Sequence, residues 1–90
     1  MPREEELPIL RAFYDFAVWL IPKIAKFPRD HRFVLGERIE RQLYAVLENL
    51  IRAKYTRLRR AILEQVNLEL EILRFQLRLA KDLRCLPLKS

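Results

Sequence analysis

The 90-residue chain has little of what catalytic sites and tight chain reversals draw on: one glycine, one cysteine, one histidine. Its only serine is the terminal Ser90 and its only threonine is Thr56. With Gly36 alone there is no glycine-rich loop to cradle a phosphate. With His31 alone there is no two-histidine zinc site and no paired Glu-x-x-His di-iron motif. A Ser-His-Asp or Cys-His arrangement would have to be built on that single residue, with a nucleophile at a terminus where chains are usually mobile. Cys85 has no second cysteine to pair with inside the chain. The longest uninterrupted apolar run, Phe16 to Ile21, falls far short of the roughly 20 residues that span a bilayer. No charged, apolar and small-residue succession opens the chain as an export signal would. These absences point away from an enzyme, a cofactor, a metal site and a membrane partner, and toward a cytoplasmic protein.

What is present is apolar and basic. Hydrophobic residues make up 51% of the chain, too many for a disordered basic tail. The length allows one domain, residues 1–90. Its core is marginal by surface-to-volume scaling, so with no disulfide or metal available, self-association is the expected support.

Prolines stand at 2, 8, 22, 28 and 87 and none lies between Arg29 and Leu86. Strand-type alternation is absent, and the pattern is that of an all-α antiparallel helical bundle. A first helix is expected over about residues 8–26, with Pro8 in its first turn, Glu4, Glu5 and Glu6 just ahead of it, and a kink or early end at Pro22. Its apolar stripe is Leu10, Phe13, Ala17, Leu20 and Ile24. A second helix is expected over about 32–54, capped by Asp30, with Leu35, Ile39, Leu43, Val46, Leu47 and Leu50 on one face. Gly36 in that pattern implies either close packing with a neighbour or a later start. An unbroken helix from Leu35 to Leu83 would be roughly 74 Å long, so a break is expected at Tyr55-Thr56. The third helix, about 57–84, carries two apolar stripes. One is Ile62, Val66, Leu70, Leu73, Leu77 and Ala80; the other is Leu68, Ile72, Phe75, Leu79 and Leu83. Two such faces require burial on two sides, in the bundle and against another subunit. His31 reads as a turn or capping residue, Cys85 as a small buried or half-buried hydrophobe, and Trp19 as a core aromatic with base stacking as the lesser alternative.

The formal charge is +6, from 18 basic and 12 acidic residues, and it is unevenly placed. The dense zone is Arg52, Lys54, Arg57, Arg59 and Arg60, with no acid between Glu48 and Glu64. Arginine dominates the basic residues, and its planar fork suits phosphate oxygens. Cations at the end of the second helix suit its dipole, but cations opening the third oppose it. The cluster therefore reads as a polyanion site or, failing that, as a solvated corner. A second zone, Arg74, Arg78 and Lys81, lies along one face of the third helix, where late bases also complement the dipole. The candidate nucleic-acid residues are Arg52, Lys54, Arg57, Arg59, Arg60, Arg74 and Arg78.

Two segments carry a resemblance. Lys26-Phe27-Pro28-Arg29-Asp30-His31-Arg32-Phe33 followed by Leu35-Gly36-Glu37-Arg38-Ile39 is one; Asn67 through Leu83, with its Leu-Arg-Phe-x-Leu-Arg core, is the other. Together they resemble the accessory variability determinants (Avd) of diversity-generating retroelements, within the four-helix-bundle family that includes rRNA intervening-sequence proteins. The resemblance implies a non-catalytic, basic homopentamer that associates with a reverse transcriptase and with template RNA or cDNA during mutagenic cDNA synthesis. It also implies a fourth amphipathic helix following the segment Leu86-Pro87-Leu88-Lys89-Ser90, at which this sequence stops.

Overall fold

The computed structural model describes residues 7–86 and contains three helices and, among the described residues, no strand. Helix α1 runs Pro8–Ile24. A turn of α-helix at Arg29–His31 and a π-helical turn at Arg32–Gly36 lead into α2, Glu37–Tyr55. Helix α3 runs Arg59–Asp82. Short connections fold each helix back on the last, and α2 is the central element, packed on α1 and most extensively on α3. The bundle measures 43 × 22 × 20 Å.

Pro8 opens α1 at the position where its missing N–H costs nothing. The three glutamates that precede it lie outside the described residues, as do Pro87 and the chain end. Helix α1 tolerates Pro22 and then ends at Ile24, two residues short of the expected end. Proline removes the bond to the carbonyl of residue i−4, here Val18, which lies on the exposed face of the helix. Backbone bonds from Ala25 to Ile21, Lys26 to Lys23 and Phe27 to Ile24 close the turn. Phe27 is driven into the core at 2% exposure.

The expectation that Asp30 caps the second helix is corrected. Pro28, extended at ψ 146°, is the N-cap, and its carbonyl accepts bonds from the N–H groups of both His31 and Arg32 at 2.9 Å. Asp30 thus lies inside the first turn, where its charge still complements the dipole. Both readings of Gly36 hold: it is the N-cap of α2, which starts at Glu37 rather than at 32, and it is closely packed. A β-carbon there would sit 3.1 Å from Ile24 Cγ2 and 3.4 Å from Phe27 Cδ2, both on buried side chains. The π-helical turn also leaves Phe33 and Val34 side by side in solvent.

The core runs from Leu10, Phe13, Leu20 and Ile24 of α1 through Ile39, Leu43, Val46 and Leu50 of α2 to Val66, Leu73 and Ala80 of α3, with Cys85 closing one end. The two stripes of α3 separate cleanly. Ile62, Val66, Leu70, Leu73, Leu77 and Ala80 are buried or half-buried, whereas Leu68, Ile72, Phe75, Leu79 and Leu83 all remain exposed. No helix among the described residues is long and apolar enough to cross a membrane.

Candidate nucleic-acid interface

The basic cluster is built around the corner between α2 and α3. Helix α2 ends at Tyr55, with Thr56 extended as its C-cap. Thr56 does not cap α3 directly; its Oγ1 accepts a bond from the Leu58 N–H at 3.1 Å, which tightens the turn. Leu58 is the N-cap of α3 and supplies no side-chain acceptor, and the first turn of α3 contains no acid. Arg57 therefore lies in the connection rather than in the helix, a correction to the expected start at residue 57. Leu58, at φ −91° and ψ 35°, is not helical, so the helix begins after it. Arg59 and Arg60 do open α3, against its dipole.

The five cations are not equivalent. Arg52 donates through Nη1 to Asn49 Oδ1 at 2.8 Å. The amide of Asn49 in turn donates to both carboxylate oxygens of Glu69, at 3.0 and 3.1 Å, and Gln65 donates to Glu69 as well. Arg52 thus terminates a polar network that ties α2 to α3. Arg59 sends its Nε–H back to the carbonyl of Ala53 at 2.9 Å. That carbonyl belongs to the last turn of α2, where carbonyls lack helical partners, so the guanidinium clamps the end of one helix from the start of the next. Arg60 faces Glu64 at 4.0 Å with both side chains largely in solvent, a pairing worth about 0–1 kcal/mol. Lys54 lies over the Tyr55 ring, Nζ 5.5 Å from its centroid. Arg57 has no ion pair or side-chain hydrogen bond among the described residues. The corner therefore divides into Arg52 and Arg59, which the fold holds by hydrogen bonds, and Lys54, Arg57 and Arg60, whose side chains make none among the described residues.

The second zone lies on α3 toward its other end; Arg59 and Arg74 are separated by roughly 22 Å along the axis. Arg74 makes two bonds to Glu71, at 2.7 and 3.3 Å, and covers the Phe75 ring at 5.2 Å. This pair holds the Glu71 carboxyl below its usual range, first by the hydrogen bond, and raises Arg74 correspondingly. Arg74, Arg78 and Lys81 all border a groove lined by Phe16, Trp19 and Leu77. Trp19 stacks on Phe16 at 6.0 Å and carries Lys23 over its face at 4.4 Å, so it is a rim aromatic, half exposed, rather than a core residue. His31 is half-buried in the turn and Cys85 is buried in the core, where burial pushes its thiol up.

Sequence reasoning passed over Tyr55. Its signal is an aromatic on the solvent face of α2 between Arg52 and Arg57, and it is 77% exposed, more than any other large hydrophobic residue described. The described residues hold no group of three or more His, Cys, Asp or Glu side chains placed to bind a metal.

Against this geometry, the bAvd-like family model matches residues 7–90. The chain belongs to the bAvd-like family. The match spans all three helices and agrees with the resemblance to accessory variability determinants carried by the Phe27–Ile39 and Asn67–Leu83 segments. No curated protein and no solved structure matches the chain.

Proposed function

We propose that this protein is a non-catalytic, cytoplasmic accessory factor of a diversity-generating retroelement. It binds template RNA or its cDNA through basic surface zones and associates with the reverse transcriptase. Membership of the bAvd-like family supports the accessory role. The observation that carries nucleic-acid binding is the start of α3, where cations oppose the helix dipole without a capping acid. A polyanion there would relieve both the mutual repulsion and the dipole mismatch. The residues that touch the ligand are Lys54, Arg57 and Arg60, with Arg74 and Arg78 as a second patch and Arg52 and Arg59 as supports. Such interactions position a phosphate backbone without reading bases.

A second reading, a helical oligomerisation module, is favoured by the exposed stripe Leu68, Ile72, Phe75, Leu79 and Leu83. A surface of that length suits a protein–protein interface, and the homo-oligomer, a pentamer by family resemblance, is built on it. An rRNA-associated bundle protein without a polymerase partner would share the fold. The test is a titration of the protein against one RNA at several salt concentrations. Affinity falling steeply with salt is expected; absence of salt-dependent binding would leave the oligomerisation module as the function.

A further inference from the structure

We infer that the α2–α3 corner takes single-stranded nucleic acid, with Tyr55 as the platform on which an unpaired base stacks. The inference deepens the reading of the corner as a polyanion site and rests on it. Tyr55 is the last residue of α2, on the side opposite the buried Leu50 and Ala53, and is 77% exposed. Leu58, three residues on and 69% exposed, adds a second apolar surface at the same corner. Ile51, one helical turn back on the same face, is exposed too. In sequence this apolar strip alternates with the cations of the corner: Arg52 and Lys54 stand between Ile51 and Tyr55, Arg57 between Tyr55 and Leu58, and Arg60 after Leu58.

Aromatic and cationic groups interleaved in this way match the two halves of a nucleotide. Phosphates are held by cations, and a base lays its face on the ring. In a duplex each internal base face is already covered by its neighbours, so a solitary exposed ring finds a partner only where a base is unpaired. Lys54 occupies one face of Tyr55 at 5.5 Å. The base takes the other, while the ammonium group remains beside the phosphate that follows it. The arrangement explains what charge alone does not: a ring this large sits among cations, 77% exposed, and lies outside the core. The positive charge around the ring selects a polyanion.

The test uses the full chain, one unstructured single-stranded RNA and the same RNA annealed to its complement. Tyr55→Ala should weaken single-strand binding by roughly 5- to 150-fold, as loss of a stacking ring does. The salt slope should stay unchanged because every cation that meets a phosphate is still in place. Tyr55→Phe, which keeps the ring, should bind within about twofold of the parent, and duplex affinity should be the same for all three proteins. Circular dichroism checks that helix content is retained. Unchanged single-strand affinity in Tyr55→Ala, alongside weakened binding in an Arg57→Gln/Arg60→Gln variant, would overturn the stacking role and leave the polyanion site standing. Unchanged affinity in both variants would overturn the two together. Equal losses on single strand and duplex would overturn the preference for unpaired bases.

Discussion

The two ends of α3 carry the same sign of charge in opposite physical settings. At its C-terminus the chain passes through Arg84 at φ 66°, and the Cys85 and Arg84 N–H groups bond back to the carbonyls of Ala80 and Lys81 at 2.8 and 2.9 Å. These bonds, with that of the Leu83 N–H to Leu79, satisfy the carbonyls of Leu79, Ala80 and Lys81, Cys85 packs into the core behind them, and Lys81 complements the dipole while Asp82 beside it opposes it. At its N-terminus there is no side-chain cap and no acid in the first turn, and Arg59 and Arg60 oppose the dipole. One end is complete on its own terms. The other has no such complement of its own, and in the proposed function a bound polyanion supplies it; on that reading the contrast separates a stabilising base from a functional one more sharply than charge density does.

The largest effect on this contrast comes from the core that both ends share. Leu73, 3% exposed midway along α3, should cost about 2–5 kcal/mol on replacement by alanine. In a bundle this small, urea unfolding should shift as one transition, and separate loss of the two ends would show that they do not share a core. Next is the difference between neighbouring arginines at the open end. Arg59→Gln removes the guanidinium bond to the Ala53 carbonyl and should cost about 1–3 kcal/mol. Arg57→Gln, which breaks no bond among the described residues, should change stability by less than about 0.5 kcal/mol. Equal losses would mean that the corner is held by charge in general rather than by one clamp.

At the closed end, Arg84→Gly should stabilise the protein by about 1 kcal/mol, because a left-handed residue with a β-carbon is strained and glycine is not. A loss of stability in thermal unfolding would mean that the arginine side chain holds something there. The smallest effect is a reversal of sign. Arg60→Glu puts an acid near the start of α3 and Lys81→Glu puts one in its last turn. The first should stabilise and the second destabilise, each by roughly 0.3–1 kcal/mol at low salt, and thermal unfolding reads both. Arg60→Glu also removes the weak ion pair with Glu64 and places two acids four residues apart, so its gain should be the smaller of the two.

Much of this architecture is legible in the spacing of apolar residues. The helical character of the chain and both stripes of α3 follow from intervals of three and four, because burial on a helix obeys that period. The break at Tyr55-Thr56 follows instead from length, since the apolar period runs on through it and an unbroken helix would be too long for a compact domain. What spacing does not carry is geometry that depends on single backbone angles. Pro28 rather than Asp30 caps the turn before α2, and Leu58 delays α3 past Arg57, because one residue in each connection leaves helical space. The π-helical turn before α2 is likewise invisible to a pattern read at 3.6 residues per turn, and with it the delay of α2 to Glu37 and the contacts of Ile24 and Phe27 that leave no room for a β-carbon at Gly36. The candidate site is legible as a charge cluster. Its division into clamp and free cations is not, since Arg52 and Arg59 are distinguished by bonds to Asn49 and Ala53 that folding creates. Tyr55 is missed for a different reason: it enters the sequence reading only as the point where the helix breaks, although the stripe from Leu35 to Leu50 already leaves it off the buried face.

The central claim is that the open end of α3 is the end that holds a phosphate backbone. The most direct measurement is the salt dependence of RNA affinity for two double variants, Arg57→Gln/Arg60→Gln at the open end and Arg78→Gln/Lys81→Gln at the closed end. Each single-strand phosphate that is no longer neutralised by a cation should flatten the log–log slope by about 0.7. A slope flattened by about 1.4 in the first variant, where two such phosphates are freed, and by clearly less in the second is the predicted result. Equal slopes in the first variant and the parent would contradict the account and leave the corner cations as a solvated surface.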